Sequence, residues 1–269
     1  MKKLVLALSA VAAFSAPALA ADMAAKAPLR PAPVAYAPSW TGCYVGGGWG
    51  YGMWNQENTG FADPTPNGRI LVRTQETDTV TNGGRGWLGT VQGGCDYQFG
   101  LGTHQLVIGA FGDYDFANIH GRHDAFGEIV ADEKLSSQWA VGGRIGWVAL
   151  PSLMVFFSGG YTEANFDRQD YTNLTSPPFG IPANVFTDKR TYKGWFLGAG
   201  DEYALNFLPG LFWKTEYRVS EFNVQTNPFL STTTGLPLGV SEDSKKWVQT
   251  VRSELVYRFN WGGPVVAKY

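Results

Sequence analysis

From Trp40 onward, apolar and polar residues alternate with a period of two in segments of about ten residues, the length a tilted membrane strand requires. The first runs from Thr41 to Trp54, with Cys43, Val45, Trp49, Tyr51 and Met53 on one face and Gly46, Gly48, Gly50 and Gly52 on the other. In the second, Gly86 to Phe99, Trp87, Val91, Cys95, Tyr97 and Phe99 alternate with Thr90, Gln92, Gly94, Asp96 and Gln98. The third (Gln105 to Phe116) sets Leu106, Ile108 and Tyr114 against Asp113 and Asp115. The fourth (Ser136 to Val148) sets Trp139, Val141, Ile145 and Trp147 against Gln138 and Arg144. The fifth (Leu153 to Thr162) puts Met154 and Phe156 on the face that is polar elsewhere. The sixth (Tyr192 to Leu205) opposes Trp195, Leu197 and Tyr203 to Gly198, Gly200 and Glu202. The seventh (Leu211 to Phe222) alternates Trp213, Tyr217 and Val219 with Lys214, Glu216 and Arg218. The eighth (Lys246 to Phe259) alternates Trp247, Val251, Leu255, Tyr257 and Phe259 with Arg252, Glu254 and Arg258.

Connections between these segments alternate in length. Long ones are predicted over 55–85, 117–135, 163–191 and 223–245, and short ones over 100–104, 149–152 and 206–210. Four long loops on one rim and three short turns on the other fit an all-β fold: an eight-stranded antiparallel transmembrane β-barrel with both ends on the short-turn side. Ahead of it, Lys2 and Lys3 precede an apolar run from Leu4 to Phe14 that breaks at Pro17 and ends Ala18-Leu19-Ala20. This order predicts a signal peptide over 1–20. Residues 21–39, rich in Pro and Ala and without periodicity, are expected to form a periplasmic N-terminal segment. The barrel is expected over 40–259 and a C-terminal tail over 260–269. After the leader no stretch of about 18 apolar residues occurs, so crossing as a helix is excluded and a closed barrel is the remaining way to pair every backbone group in lipid.

Composition sharpens this picture. Ten Trp, 12 Tyr and 17 Phe stand beside 34 Gly, as expected for aromatic girdles at two membrane interfaces and crowded inner walls. With Lys2 and Lys3 removed, 19 basic residues remain against 23 acidic ones, so nucleic acid is not expected as a partner. The expected partners are outer-membrane lipids and the outer-membrane assembly machinery. The latter would read Val251, Leu255, Tyr257 and the closing Phe259. The long loops are candidate contacts for host or cell-surface partners.

The inward face gathers the acids Asp96, Asp113, Asp115, Glu202, Glu216 and Glu254 and the bases Arg144, Lys214, Arg218, Arg252 and Arg258. Charges shut in a narrow barrel must pair. They form either a structural network that fills the lumen or the lining of a narrow pore. Asp113 with Asp115 has the form of a general acid and base couple, but Arg144 on the neighbouring strand favours ion pairing. His120, His123 and Asp124 fall in a long loop, where a solvated loop is a better reading than a metal site. Neither catalytic residues nor a cofactor or metal is expected.

Cys43 and Cys95 are the only cysteines. Antiparallel register with Met53 opposite Arg85 brings Cys43 opposite Cys95, and an exported chain matures where such pairs oxidise, so a disulfide is expected. A register slip of two residues would leave two free thiols instead.

The segments Trp40-Thr-Gly-Cys-Tyr-Val-Gly-Gly, Gly198-Ala-Gly-Asp-Glu-Tyr, Lys214-Thr-Glu-Tyr-Arg and Val256-Tyr-Arg-Phe-Asn-Trp-Gly-Gly-Pro resemble the outer-membrane immunogenic protein family of α-proteobacteria, related in fold to the OmpA-type transmembrane domain. The resemblance covers essentially the whole mature chain. It implies an abundant surface antigen with a structural or weakly porin-like role. The chain departs from the family pattern at Cys43, at Cys95 and at Asp201, a charge on the lipid-facing parity that is tolerable only near the periplasmic interface. A soluble lipocalin-like binder is the distant third reading, since its outside would be polar and its inside apolar.

Overall fold

The computed structural model describes residues 38–64, 71–173 and 182–259. Twelve antiparallel strands occupy Gly42–Ala62 (β1), Thr74–Gln75 (β2), Val80–Leu101 (β3), His104–Ala125 (β4), Ile129–Leu150 (β5), Leu153–Phe166 (β6), Gln169–Asn173 (β7), Pro182–Thr187 (β8), Arg190–Ala204 (β9), Leu211–Phe222 (β10), Gln225–Ser231 (β11) and Pro237–Phe259 (β12). Eight of them form a ring in the order β1, β3, β4, β5, β6, β9, β10, β12. The ring closes because β12 returns to β1, from Cys43 opposite Phe259 to Ala62 opposite Val240. Closure leaves no sheet edge within the ring, the condition for a sheet in hydrocarbon.

The three shorter strands β7, β8 and β11 prolong β6, β9 and β10 past two-residue breaks. Gln169 opposite Thr187 keeps the register of Phe166 opposite Arg190, and Leu230 opposite Phe186 keeps that of β9 with β10. Backbone bonds from Asp167 N to Lys134 O and from Asn223 N to Lys193 O, both 2.9 Å, carry the wall across two of the breaks. The barrel is therefore one tall cylinder of eight walls.

Its height corrects the predicted loops. Segment 117–135 is almost wholly strand and narrows to a turn at Phe126, Gly127 and Glu128, the first two with φ of 52° and 68°. Likewise β1 continues to Ala62 and β3 begins at Val80. The short turns on the opposite rim fall where expected, with Gly102 and Gly210 supplying the left-handed backbone. A strand of 22 residues such as β4 is about 70 Å long, roughly twice what the bilayer needs. The excess is amphipathic in the reverse sense. On β4 the outward Ile108, Tyr114 and Phe116 give way to Asn118, His120, Arg122 and Asp124, while the inward row continues through Ile119, His123 and Ala125. Water has replaced lipid outside, so the outer face turns polar while the inner face stays buried.

Two aromatic rings bound the apolar band. Trp87, Phe116, Tyr161 and Trp195 form the upper one; Tyr97, Trp147, Tyr203, Trp213 and Tyr257 form the lower. Trp87 and Tyr97 are ten residues apart on β3, about 33 Å along the strand and about 25 Å in height at a tilt near 40°. Asp201 lies outward two residues from Tyr203, just inside the lower ring.

Candidate functional site

All eleven charged residues expected inside the barrel are buried there. Near the short-turn end, Asp96 on β3, Arg144 on β5, Glu202 on β9 and Arg258 on β12 come from every second wall of the ring. They close a square of alternating charge. Arg144 forks onto both oxygens of Asp96 and donates Nη1 to Glu202 Oε2 at 3.0 Å. Arg258 donates Nη1 to Asp96 Oδ2 at 2.7 Å and Nη2 to Glu202 Oε1 at 2.5 Å. Aromatic faces line this layer: the Arg258 guanidinium lies 4.8 Å from the Tyr44 ring centre and 5.1 Å from that of Phe212. The carbonyl of Trp40 accepts a further bond from Arg258 at 3.0 Å. Gly109 makes room for the square, because a Cβ there would strike the Asp96 carboxylate.

The next layer joins opposite walls. Arg218 on β10 grips Asp113 on β4 through two bonds of 3.0 and 2.8 Å. Arg252 reaches Asp113 and Asp115, each at 3.2 Å, and Glu216 at 2.9 Å. Lys214 lies 2.9 Å from Glu216 and 3.6 Å from Glu254. Asp113 and Asp115, the couple that suggested acid and base chemistry, are thus both held by arginine.

Above these comes an apolar layer of Trp54, Leu88, Ile119, Leu135, Phe166, Phe222 and Val248. It is followed by a third charged layer, in the half of the barrel that rises beyond the lipid. Lys246 on β12 meets Glu133 on β5 at 2.5 Å and lies 4.4 Å from the Phe166 ring centre. His123 bonds Glu242 through Nε2 at 2.9 Å and Gln169 through Nδ1 at 2.6 Å. The Tyr171 hydroxyl donates to Gln169 at 3.0 Å. Burial pulls the His123 pKa down, but the Glu242 and Glu133 carboxylates outweigh it and hold the imidazole above its ordinary value. The residue-level reading missed this layer because Glu133 and Glu242 lie in segments taken for loops. The continuing alternation of Ile119, His123 and Ala125 was the available signal. The expected solvated loop of His120, His123 and Asp124 is corrected in the same way: all three stand on β4, His123 inward and His120 outward, 2.6 Å from Asp132.

Cys43 and Cys95 lie opposite each other on β1 and β3 and are disulfide-bonded. The bond joins adjacent walls near the lower rim and closes a loop across 52 positions of sequence, worth roughly 4 kcal/mol on a chain-entropy basis.

Comparison with known proteins agrees with this architecture. The pattern of the family described as outer membrane protein beta-barrel domain matches residues 6–259. The 31 kDa outer-membrane immunogenic proteins of Brucella melitensis biotype 1 and Brucella suis biovar 1 are each 32% identical over 271 residues, covering 96% of this chain and all of theirs. Among solved structures, the attachment invasion locus protein Ail of Yersinia pestis is 10% identical with a TM-score of 0.29, covering 80% of this chain and 99% of that one. The outer-membrane protease OmpT of Escherichia coli is 11% identical with a TM-score of 0.35, covering 84% and 99%. Likenesses this distant transfer neither a ligand nor an activity. With a closed eight-walled ring, two aromatic girdles and a relationship running the length of the Brucella proteins, the chain belongs to the outer-membrane β-barrel family and resides in the outer membrane.

Proposed function

We propose that this barrel is sealed and non-catalytic: a structural and surface-display protein that holds four tall hairpins outside the cell. The charged layers support the reading most directly. A square that uses every second wall, with cross-lumen pairs such as Arg218 to Asp113 directly above it, leaves guanidinium and carboxylate groups bonded to each other where ions would have to pass. Desolvated charges at this density persist only when mutually satisfied. Contacts with the assembly machinery through Phe259, and with host or cell-surface partners through the hairpin tips, belong to the same reading. So does removal of residues 1–20, which lie outside the described residues, as do most of 21–39 and all of 260–269.

Planar-bilayer recording tests it. The folded protein should give no ohmic steps, and removing three charges of the square (Asp96→Ala, Arg144→Ala, Glu202→Ala) should still give none, because the layers above it remain packed. Regular single-channel steps from the unaltered protein would favour the porin-like alternative and overturn the sealed reading.

A further inference from the structure

Above the upper aromatic ring, most outward cations are neutralised by an acid. Lys193 lies 3.9 Å from Glu163, Lys245 2.7 Å from Glu221, Arg122 2.6 Å from Asp124 and Arg168 2.6 Å from Asp170. One sector differs. Arg85 on β3 is directly opposite His120 on β4, and His120 is directly opposite Lys134 on β5. All three point outward, so two cations, Arg85 and Lys134, flank the His120 ring on neighbouring walls. Among the described residues, neither Arg85 nor Lys134 has a carboxylate within 4.0 Å.

Depth and shape add to the charge. Arg85 is two residues above Trp87 of the upper ring and on the same face, which puts the row at the level of the lipid headgroups. Beside it lies a shallow outer groove of about 450 Å³. Gly83, Gly84 and the edge of Trp54 floor it; Met53, Arg85 and His120 wall it. The His120 ring is fixed by Asp132 at 2.6 Å and Asn118 at 3.0 Å. The acids Asp132 and Asp170 line a second groove on the other side of His120, so the groove at Arg85 is the basic one. Below the row, Trp87, Val91, Phe116 and Val141 offer an apolar strip for acyl chains.

We propose that Arg85 and Lys134, on either side of the His120 ring, form a binding site for the phosphate of a phosphorylated glycolipid in the outer leaflet. Such a headgroup supplies the anion that Arg85 and Lys134 lack, since the nearby Asp132 carboxylate is engaged by His120. The Arg85 guanidinium can take a phosphate through two parallel hydrogen bonds, and Lys134 adds a point charge on the far side of the ring. Outer-leaflet lipid is the source because the row is continuous with the membrane-facing band.

Native mass spectrometry of the folded chain in non-ionic micelles tests the site with three probes: bisphosphorylated lipid A, the same lipid stripped of both phosphates, and inorganic phosphate. The phosphorylated lipid should bind about tenfold more tightly than the stripped one. Arg85→Gln with Lys134→Gln should erase that preference, and Lys193→Gln with Lys245→Gln should preserve it. Equal binding of the two lipids by the unaltered protein, or an unchanged preference in the Arg85 and Lys134 variant, would overturn the site. Inorganic phosphate binding as tightly as the lipid would overturn its assignment to a lipid. If the double variant does not fold, amine acylation of Lys134 in the unaltered protein decides. Protection by the phosphorylated lipid alone supports the site, and equal acylation with either lipid overturns it.

Discussion

At the scale of single residues, the interior sets neutrality against desolvation. Each carboxylate of the lower square accepts from both arginines and each arginine donates to both acids. Removing one member leaves an uncompensated buried charge, at a cost of about 3–5 kcal/mol. Arg144→Met should therefore lower the unfolding free energy of the micelle-folded barrel, read from its urea transition, by that amount. Arg122→Met, which breaks an exposed pair, should cost less than about 1 kcal/mol. Equal midpoints for the two variants would show that the square contributes nothing to stability. That these charges point inward was legible in the sequence, because each is flanked by residues of apolar outward parity. The partnerships were not, since Asp96 meets Glu202 through Arg144 and Arg258 only once the ring has closed, and strand alternation carries no information about closure. Cys43 and Cys95 were placed together because register between adjacent strands is a local property.

At the scale of elements, each strand changes its outward chemistry partway along. The lower half of β4 presents Ile108, Tyr114 and Phe116 to lipid and the upper half presents His120, Arg122 and Asp124 to water. An expectation built on apolar outward positions stops where the lipid stops, which is why 117–135 looked like a loop. The upper half is held by its own buried layer, and that layer titrates. Lys246 pairs with Glu133, so with His123 neutral Glu242 is left without a cationic partner, with Tyr171 and Tyr192 packed in the same layer. Because the folded pKa of His123 is raised, its stabilising contribution is complete below the unfolded value of about 6.5 and is lost as pH rises through the folded value. Protease cleavage at the Phe126 to Glu128 turn should accelerate as pH rises from about 6 to 9, and His123→Gln should flatten that dependence. A cleavage rate independent of pH in the unaltered protein would remove His123 from this role.

At the scale of the whole molecule, one cylinder serves two solvents. Its inner face is buried through the three charged layers and the apolar layer between them, while its outer face is largely apolar between the two aromatic rings and polar above the upper one. The strand count, two girdles and short turns on one rim follow from eight alternating segments, whereas the height above the membrane follows from an inner alternation that continues after the outer one has reversed. A spin-label accessibility scan along β4, one cysteine at a time from Leu106 to Asp124 in vesicles, measures this most directly. Labels at 106, 108, 110, 114 and 116 should collide with lipid-soluble oxygen, and labels at 118, 120, 122 and 124 with a water-soluble nickel chelate. Those at 107, 111, 115, 119 and 123 should meet neither. Oxygen access continuing through 124, or equal access at odd and even positions, would contradict the reversal of the outer face and with it the tall, sealed barrel.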